Sequence, residues 1–137
     1  MTAAHEEKET LHVDVNIPAH PDRETTALFE HTRKELIERD KVCFICSKPH
    51  TKESPLEAHH SIIERCLTEM IDFSLLGIAG DPYGFVDDMT RNGMLLCKEH
   101  HTGKETGIHY LPYPLWIAQK YGKEGYKFND IEVIHHV

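Results

Sequence analysis

Long apolar runs are missing from this sequence. No stretch approaches the roughly 20 consecutive apolar residues of a membrane helix, so no membrane partner is expected. The opening Met1-Thr2-Ala3-Ala4-His5-Glu6-Glu7-Lys8 lacks the basic and apolar segments of a secretion signal, and an intracellular protein is expected. Positive charge is also short. Fifteen Lys and Arg face 23 Asp and Glu, a net charge of -8. The deficit is uneven: residues 1–40 hold five basic and ten acidic side chains, and residues 41–137 hold ten and thirteen. Proteins that bind nucleic acid usually carry a basic excess, so this balance weighs against DNA and suits a basic protein partner. Internal repeats and low-complexity tracts are absent as well.

What is present reads as ordinary globular chain: 137 residues, 39% hydrophobic and 28% charged, enough for one modest core. Pro18, Pro21 and scattered charge make residues 1–22 an irregular N-terminal arm, with a possible short strand over Leu11–Ile17 where apolar and polar residues alternate. A single domain is expected over 23–137. Its first helix covers 24–39, with Ala27, Leu28, Leu36 and Ile37 as a rough apolar stripe and Asp22 or Thr25 as cap. A short strand follows at 56–63 and a helical run at 64–77, closed by Gly77. Asn92-Gly93 then reads as a turn into a strand ending at Cys97. Lys98 to about Gly107 reads as a short helix, and 115–121 as a final one.

Four cysteines and twelve histidines carry the chemistry. Cys43-x-x-Cys46 and Cys97-x-x-His100 are two complete pairs, and structural zinc takes four tetrahedral Cys or His ligands supplied in that way. The 50 residues between Cys46 and Cys97 make this a staple across a domain. A disulfide framework fits poorly without a secretion signal, and a thioredoxin-like redox pair fits poorly without a surrounding βαβ pattern. Cys66 reads as an inert core thiol.

His59 and His60 are neighbours on an extended segment, where successive side chains face opposite ways. One imidazole can ligate a metal while the other points elsewhere. Glu57 shares the face of His59 and can accept the second ring proton of a metal-bound histidine. His101 follows the zinc ligand His100, and on a helix it can face a second site. His5, His12, His20, His31 and His50 read as surface residues, and His135 and His136 as a terminal pair. Tyr110, Tyr113, Trp116, Tyr121 and Tyr126 read chiefly as packing; the alternative is a surface for stacked bases or a protein partner.

Glu57-Ala58-His59-His60-Ser61-Ile62, then Asn92-Gly93-Met94-Leu95-Leu96-Cys97, then Cys97-Lys98-Glu99-His100-His101 together resemble the HNH endonuclease family over about residues 42–109. The resemblance implies an α+β fold. Its centre is a ββα-metal core with an accessory zinc staple, flanked by N-terminal, inserted and C-terminal helices. It implies hydrolysis of DNA phosphodiester bonds, as in phage or mobile-element nucleases. His59 matches the ligand of the catalytic divalent ion, His60 the general base, Asn92 the residue that braces the base, and His101 a second metal ligand. The third ligand is His109 or, as second choice, Glu105. The ion would be Mg2+, Mn2+, Ni2+ or Zn2+. DNA is the implied substrate, and a homodimer is one way for such a protein to cut both strands. The alternative is a non-cleaving, zinc-stapled module that binds a protein or nucleic acid. Two departures stand out: residues 61–91 are longer and more helical than a plain hairpin connection, and Ser61-Ile62-Ile63-Glu64 lacks the proline common after the histidine pair.

Overall fold

The second N-terminal strand falls within the alternating run expected over Leu11–Ile17, whereas the first is made by backbone pairing alone. The computed structural model describes residues 1–10 and 13–128. Strands β1 (His5–Thr10) and β2 (Val13–Ile17) form an antiparallel hairpin with His5 opposite Ile17. The irregular arm expected over 1–22 is therefore a hairpin. Its first strand, HEEKET, has no apolar alternation and is held by its ladder to β2. Thr2 and His20 exchange backbone hydrogen bonds of 2.7 and 3.1 Å beyond it. Ile17 is buried, and β2 rests on the 3₁₀ turn Arg65–Met70. His20, read as a surface residue, is buried too, its Nδ1 2.7 Å from the Pro21 carbonyl. Leu11, His12, His135 and His136 lie outside the described residues.

Helix α1 (Ala27–Asp40) starts at Thr26, whose Oγ1 accepts from the Phe29 N–H at 3.0 Å. Neither Asp22 nor Thr25 is the cap, so the helix begins about three residues later than its pattern implies. Thr26 can serve because its hydroxyl also donates to Asp87 Oδ2 at 3.0 Å. Leu36 is fully buried and Ile37 packs beside the core, while Leu28 of the expected stripe stays at the surface. Lys41 closes the helix in the left-handed region at φ 65°, its N–H reaching the Ile37 carbonyl.

The run expected as one helix over 64–77 is two 3₁₀ turns, Arg65–Met70 and Phe73–Leu76. Asp72 interrupts it: its side chain accepts from the Ser74 N–H and starts the second turn. Short helices α2 (Pro82–Val86) and α3 (Met89–Asn92) follow, capped by Asp81 and Asp88. Between α1 and α2 lies β3 (Glu57–His60), and after α3 comes β4 (Gly93–Leu96). These two strands pair antiparallel with His59 opposite Met94 and His60 opposite Gly93. Asn92-Gly93 is thus a helix end, not a free turn. Helices α4 (Lys98–Thr102) and α5 (Tyr113–Ala118) complete this mixed α+β architecture.

The main core gathers Leu36, Ile45, Leu56, Met89, Leu95, Leu96, Leu111 and Trp116 around Cys43 and Cys97. Leu95 and Leu96 face opposite sides of β4, yet both are buried, so the hairpin is covered on both faces. Each contributes about 1.5–3 kcal/mol. Trp116 is fully buried and donates from Nε1 to the His100 carbonyl at 2.8 Å, tying α5 to α4. Tyr113, Tyr121 and Tyr126 are exposed. Phe73, Phe85 and Val86 form a second small cluster. No helix among the described residues is long and apolar enough to cross a membrane.

Candidate metal centres

The Cys43–Cys46 knuckle is built by backbone. Val42 bridges Pro49, the Cys43 N–H donates to the Lys48 carbonyl, and Ser47 turns the chain at φ 62°. The Phe44 N–H then donates to the Leu95 carbonyl at 2.8 Å and brings the knuckle against β4. Cys97 ends that strand and occupies the N-cap position of α4, which carries His100. The ligand atoms of Cys43, Cys46, Cys97 and His100 consequently lie within 4.8 Å of one another. The Cys46 and Cys97 sulfurs are 3.8 Å apart. Two thiolates on one tetrahedral zinc stand about 3.8 Å apart as well. The Cys97 Sγ to His100 Nδ1 distance is 3.1 Å. That pair must open slightly, since a tetrahedral ion sets such atoms about 3.6 Å apart.

The thiols demand a counter-charge. Burial works to raise Cys43, but hydrogen bonds from His100 and from the backbone of Cys46, Cys97 and Ile45 overcome it and bring the thiol down to about 6. Burial pushes Cys97 up to about 12, helped by the charges of Cys43 and Cys46 and opposed by the His100 backbone. Metal ligation needs thiolates, so a bound cation would offset the burial that holds the Cys97 proton. These four residues can hold a metal such as zinc.

A second group lies one residue further on. His59, His101 and His109 bring ligand atoms within 4.8 Å of one another, with ring centroids 5.0 to 5.1 Å apart. His59 comes from β3 and is buried; His101 comes from α4. His109 returns through a loop that needs two glycines. A Cβ on Gly103 would sit 2.3 Å from the Glu99 carbonyl oxygen, and one on Gly107 would sit 2.7 Å from the Gly103 carbonyl oxygen. The close turn lets the His109 N–H approach the His101 carbonyl at 3.4 Å. Glu105 is exposed on the same loop and is not in the group. Glu57 approaches His101, not His59: its Oε1 lies 3.2 Å from His101 Nδ1, which leaves Nε2 of that ring for an ion. His59 Nε2 instead faces Glu64 Oε1 at 2.9 Å.

His60 turns to the other side of β3, as strand alternation requires. Its ring stacks on Phe29 at 5.9 Å, and its Nε2 lies 3.8 Å from Asp87 Oδ1. Asp87 is 1% exposed and receives Arg65 Nε at 3.3 Å, near enough for ion pairing but out of line for a hydrogen bond. His60, Ser61, Glu64 and His59 share one cleft of about 440 Å³ with Arg39 and Tyr113. Asn92 is wholly buried and spends its amide on backbone. Oδ1 accepts from the Ile62 and Ile63 N–H groups at 2.9 Å, and Nδ2 donates to the Ile63 and Val86 carbonyls at 2.9 and 3.0 Å. It therefore clamps the loop that follows His60. Asn92→Ala leaves four backbone groups unpaired and is expected to cost about 3–4 kcal/mol, read as a lower urea midpoint at constant slope.

Glu64 and Asp87 are the residues that sequence reasoning missed. The available signal was slight: a carboxylate four residues past the histidine pair, and one near the end of a helical insert.

Burial is the largest cause holding both His60 and His101 below the ordinary histidine value of 6.5. The fold thus favours their neutral forms, and unfolding restores the ordinary value. The contribution of these two rings to stability is fully present above about pH 6.5 and is lost as pH drops below it, since the unfolded chain then binds more protons. Urea midpoints at pH 7.5 and 5.5 are expected to show the loss, and to show less of it in His60→Gln.

Compared with protein-family models, curated proteins and solved structures, the chain matches none.

Proposed function

We propose that this chain is a metal-dependent nuclease of HNH type that hydrolyses phosphodiester bonds in DNA. The observation that carries the reading is the split of two adjacent histidines. His59 joins His101 and His109 in a group able to hold an ion, and His60, one residue on, lines the same cleft. The placement of β3, β4 and α4 around that group supports it, as does the resemblance of the three motifs.

His59, His101 and His109 would hold a divalent ion, which when bound would supply charge stabilisation to a phosphate at the cleft. His60 does the proton work. Its Nε2 lies 3.8 Å from the buried Asp87 Oδ1, too far for a hydrogen bond, so that carboxylate acts on the ring through its charge. Burial keeps the ring neutral near pH 7, ready to accept a proton from attacking water. Asn92 holds the loop behind it.

The net charge of -8 favours a second reading, a zinc-stapled module that binds a partner without cutting. Supercoiled plasmid incubated with Mg2+, Mn2+, Ni2+ or Zn2+ separates the two. The nuclease reading expects nicking with at least one ion and none in His101→Ala. Intact plasmid under all four ions contradicts it.

A further inference from the structure

We propose that Glu64 is the fourth protein ligand of the His59–His101–His109 group, making it a site of three imidazoles and one carboxylate. The inference rests on the metal-site half of the reading above, not on cleavage.

Glu64 follows β3 by four residues. The intervening loop is pinned by the Asn92 side chain at Ile62 and Ile63, so the position of Glu64 is set by a buried clamp. Its Oε1 lies 2.9 Å from His59 Nε2. A ring nitrogen and a carboxylate oxygen bound to one ion at right angles stand about 3.0 Å apart. That contact has the spacing of two neighbouring ligands; Glu64 stands outside the 4.8 Å cluster of the three rings, so its carboxylate has to swing toward His101 and His109 to complete the site.

Glu57 provides the contrast. It is the more exposed carboxylate, at 46% against 28% for Glu64, and it meets the outer nitrogen of one imidazole, His101. Such a carboxylate orients a ligand from behind. Glu64 faces inward. Its Oε1 meets the ring of His59, a member of the candidate group.

The consequence is chemical. Three neutral imidazoles leave the full charge of a divalent ion in a partly buried site, and one carboxylate halves it. Right-angle ligation belongs to five- or six-coordinate ions, so four protein donors still leave room for a phosphate oxygen. A mostly nitrogen donor set favours transition ions over Mg2+.

Zinc-loaded protein titrated with Co2+ tests this, with the thiolate bands in the near ultraviolet reporting any exchange at the cysteine site. Glu64→Gln is expected to weaken Co2+ binding by more than about 100-fold, beyond the usual range for losing an outer hydrogen-bond partner, and to shift the visible bands. Glu64→Asp, which keeps the charge, is expected to regain part of the affinity. Glu57→Gln is expected to weaken binding by about 10–100-fold with the bands in place. Unchanged bands or unchanged affinity in Glu64→Gln overturn the proposal. His59→Ala locates the failure. If it abolishes Co2+ binding while Glu64→Gln does not, only the fourth ligand is wrong; if it too binds normally, the histidine site itself is wrong. Zinc content reports folding of every variant.

Discussion

Cys97→Ser is expected to leave the chain without its native fold. Cys97 is 3% exposed and sits where β4 meets α4, inside the main core. Structural zinc contributes about 10–16 kcal/mol of apparent folding energy in small zinc domains, as much as or more than a whole domain of this size retains. Losing one of four ligands therefore removes most of the margin. It also releases the knuckle from β4 and frees Leu95, Leu96 and Trp116 to hydrate. Circular dichroism and zinc content are the measurements, with Cys66→Ser as control because that half-buried thiol lies outside the group. A Cys97→Ser protein melting within about 4 °C of its parent, roughly 1 kcal/mol, contradicts a structural role.

His60→Ala is expected to lower plasmid cleavage by about 10²- to 10⁴-fold while leaving both metal contents unchanged. General bases contribute on that scale, and His60 is not among the residues whose ligand atoms cluster. The dissociation of effects is the point. A ligand variant such as His101→Ala loses the ion and the activity together; a base variant loses the activity alone. Equal cutting by His60→Ala and parent, at equal zinc content, removes His60 from the chemistry. Some loss of stability is tolerable in this test, since the ring packs on Phe29 and its removal leaves a small void.

Short-range spacing made much of this arrangement legible. Cys43-x-x-Cys46 and Cys97-x-x-His100 name their own geometry, because a two-residue gap sets two side chains on one ion. His101 was readable from its position beside His100. His109 was readable only as one of two choices. Gly103 and Gly107, which let the chain double back, decide for it by close approach, and Glu105 points to solvent. Glu64 and Asp87 were not legible, because each meets its histidine through a loop whose course depends on Asn92 and on the packing of α1. The same distinction holds for the fold. Helix α1 and strands β3 and β4 follow from pattern, apart from the cap, which Thr26 takes because Asp87 is there to receive its hydroxyl. The strand β1 has no pattern to read. The run over 64–77 has helical spacing, but Asp72 captures the Ser74 N–H and breaks it into two turns.

The two candidate metal centres share a boundary, His100 facing one and His101 the other, so the cysteine site should support the histidine site and not the reverse. Counting ions per chain by native mass spectrometry on protein loaded with zinc and a second divalent ion tests that asymmetry. Two ions are expected in the parent, one in His101→Ala, and none in Cys97→Ser. A Cys97→Ser chain that still holds the second ion, or a parent that never holds more than one, contradicts it.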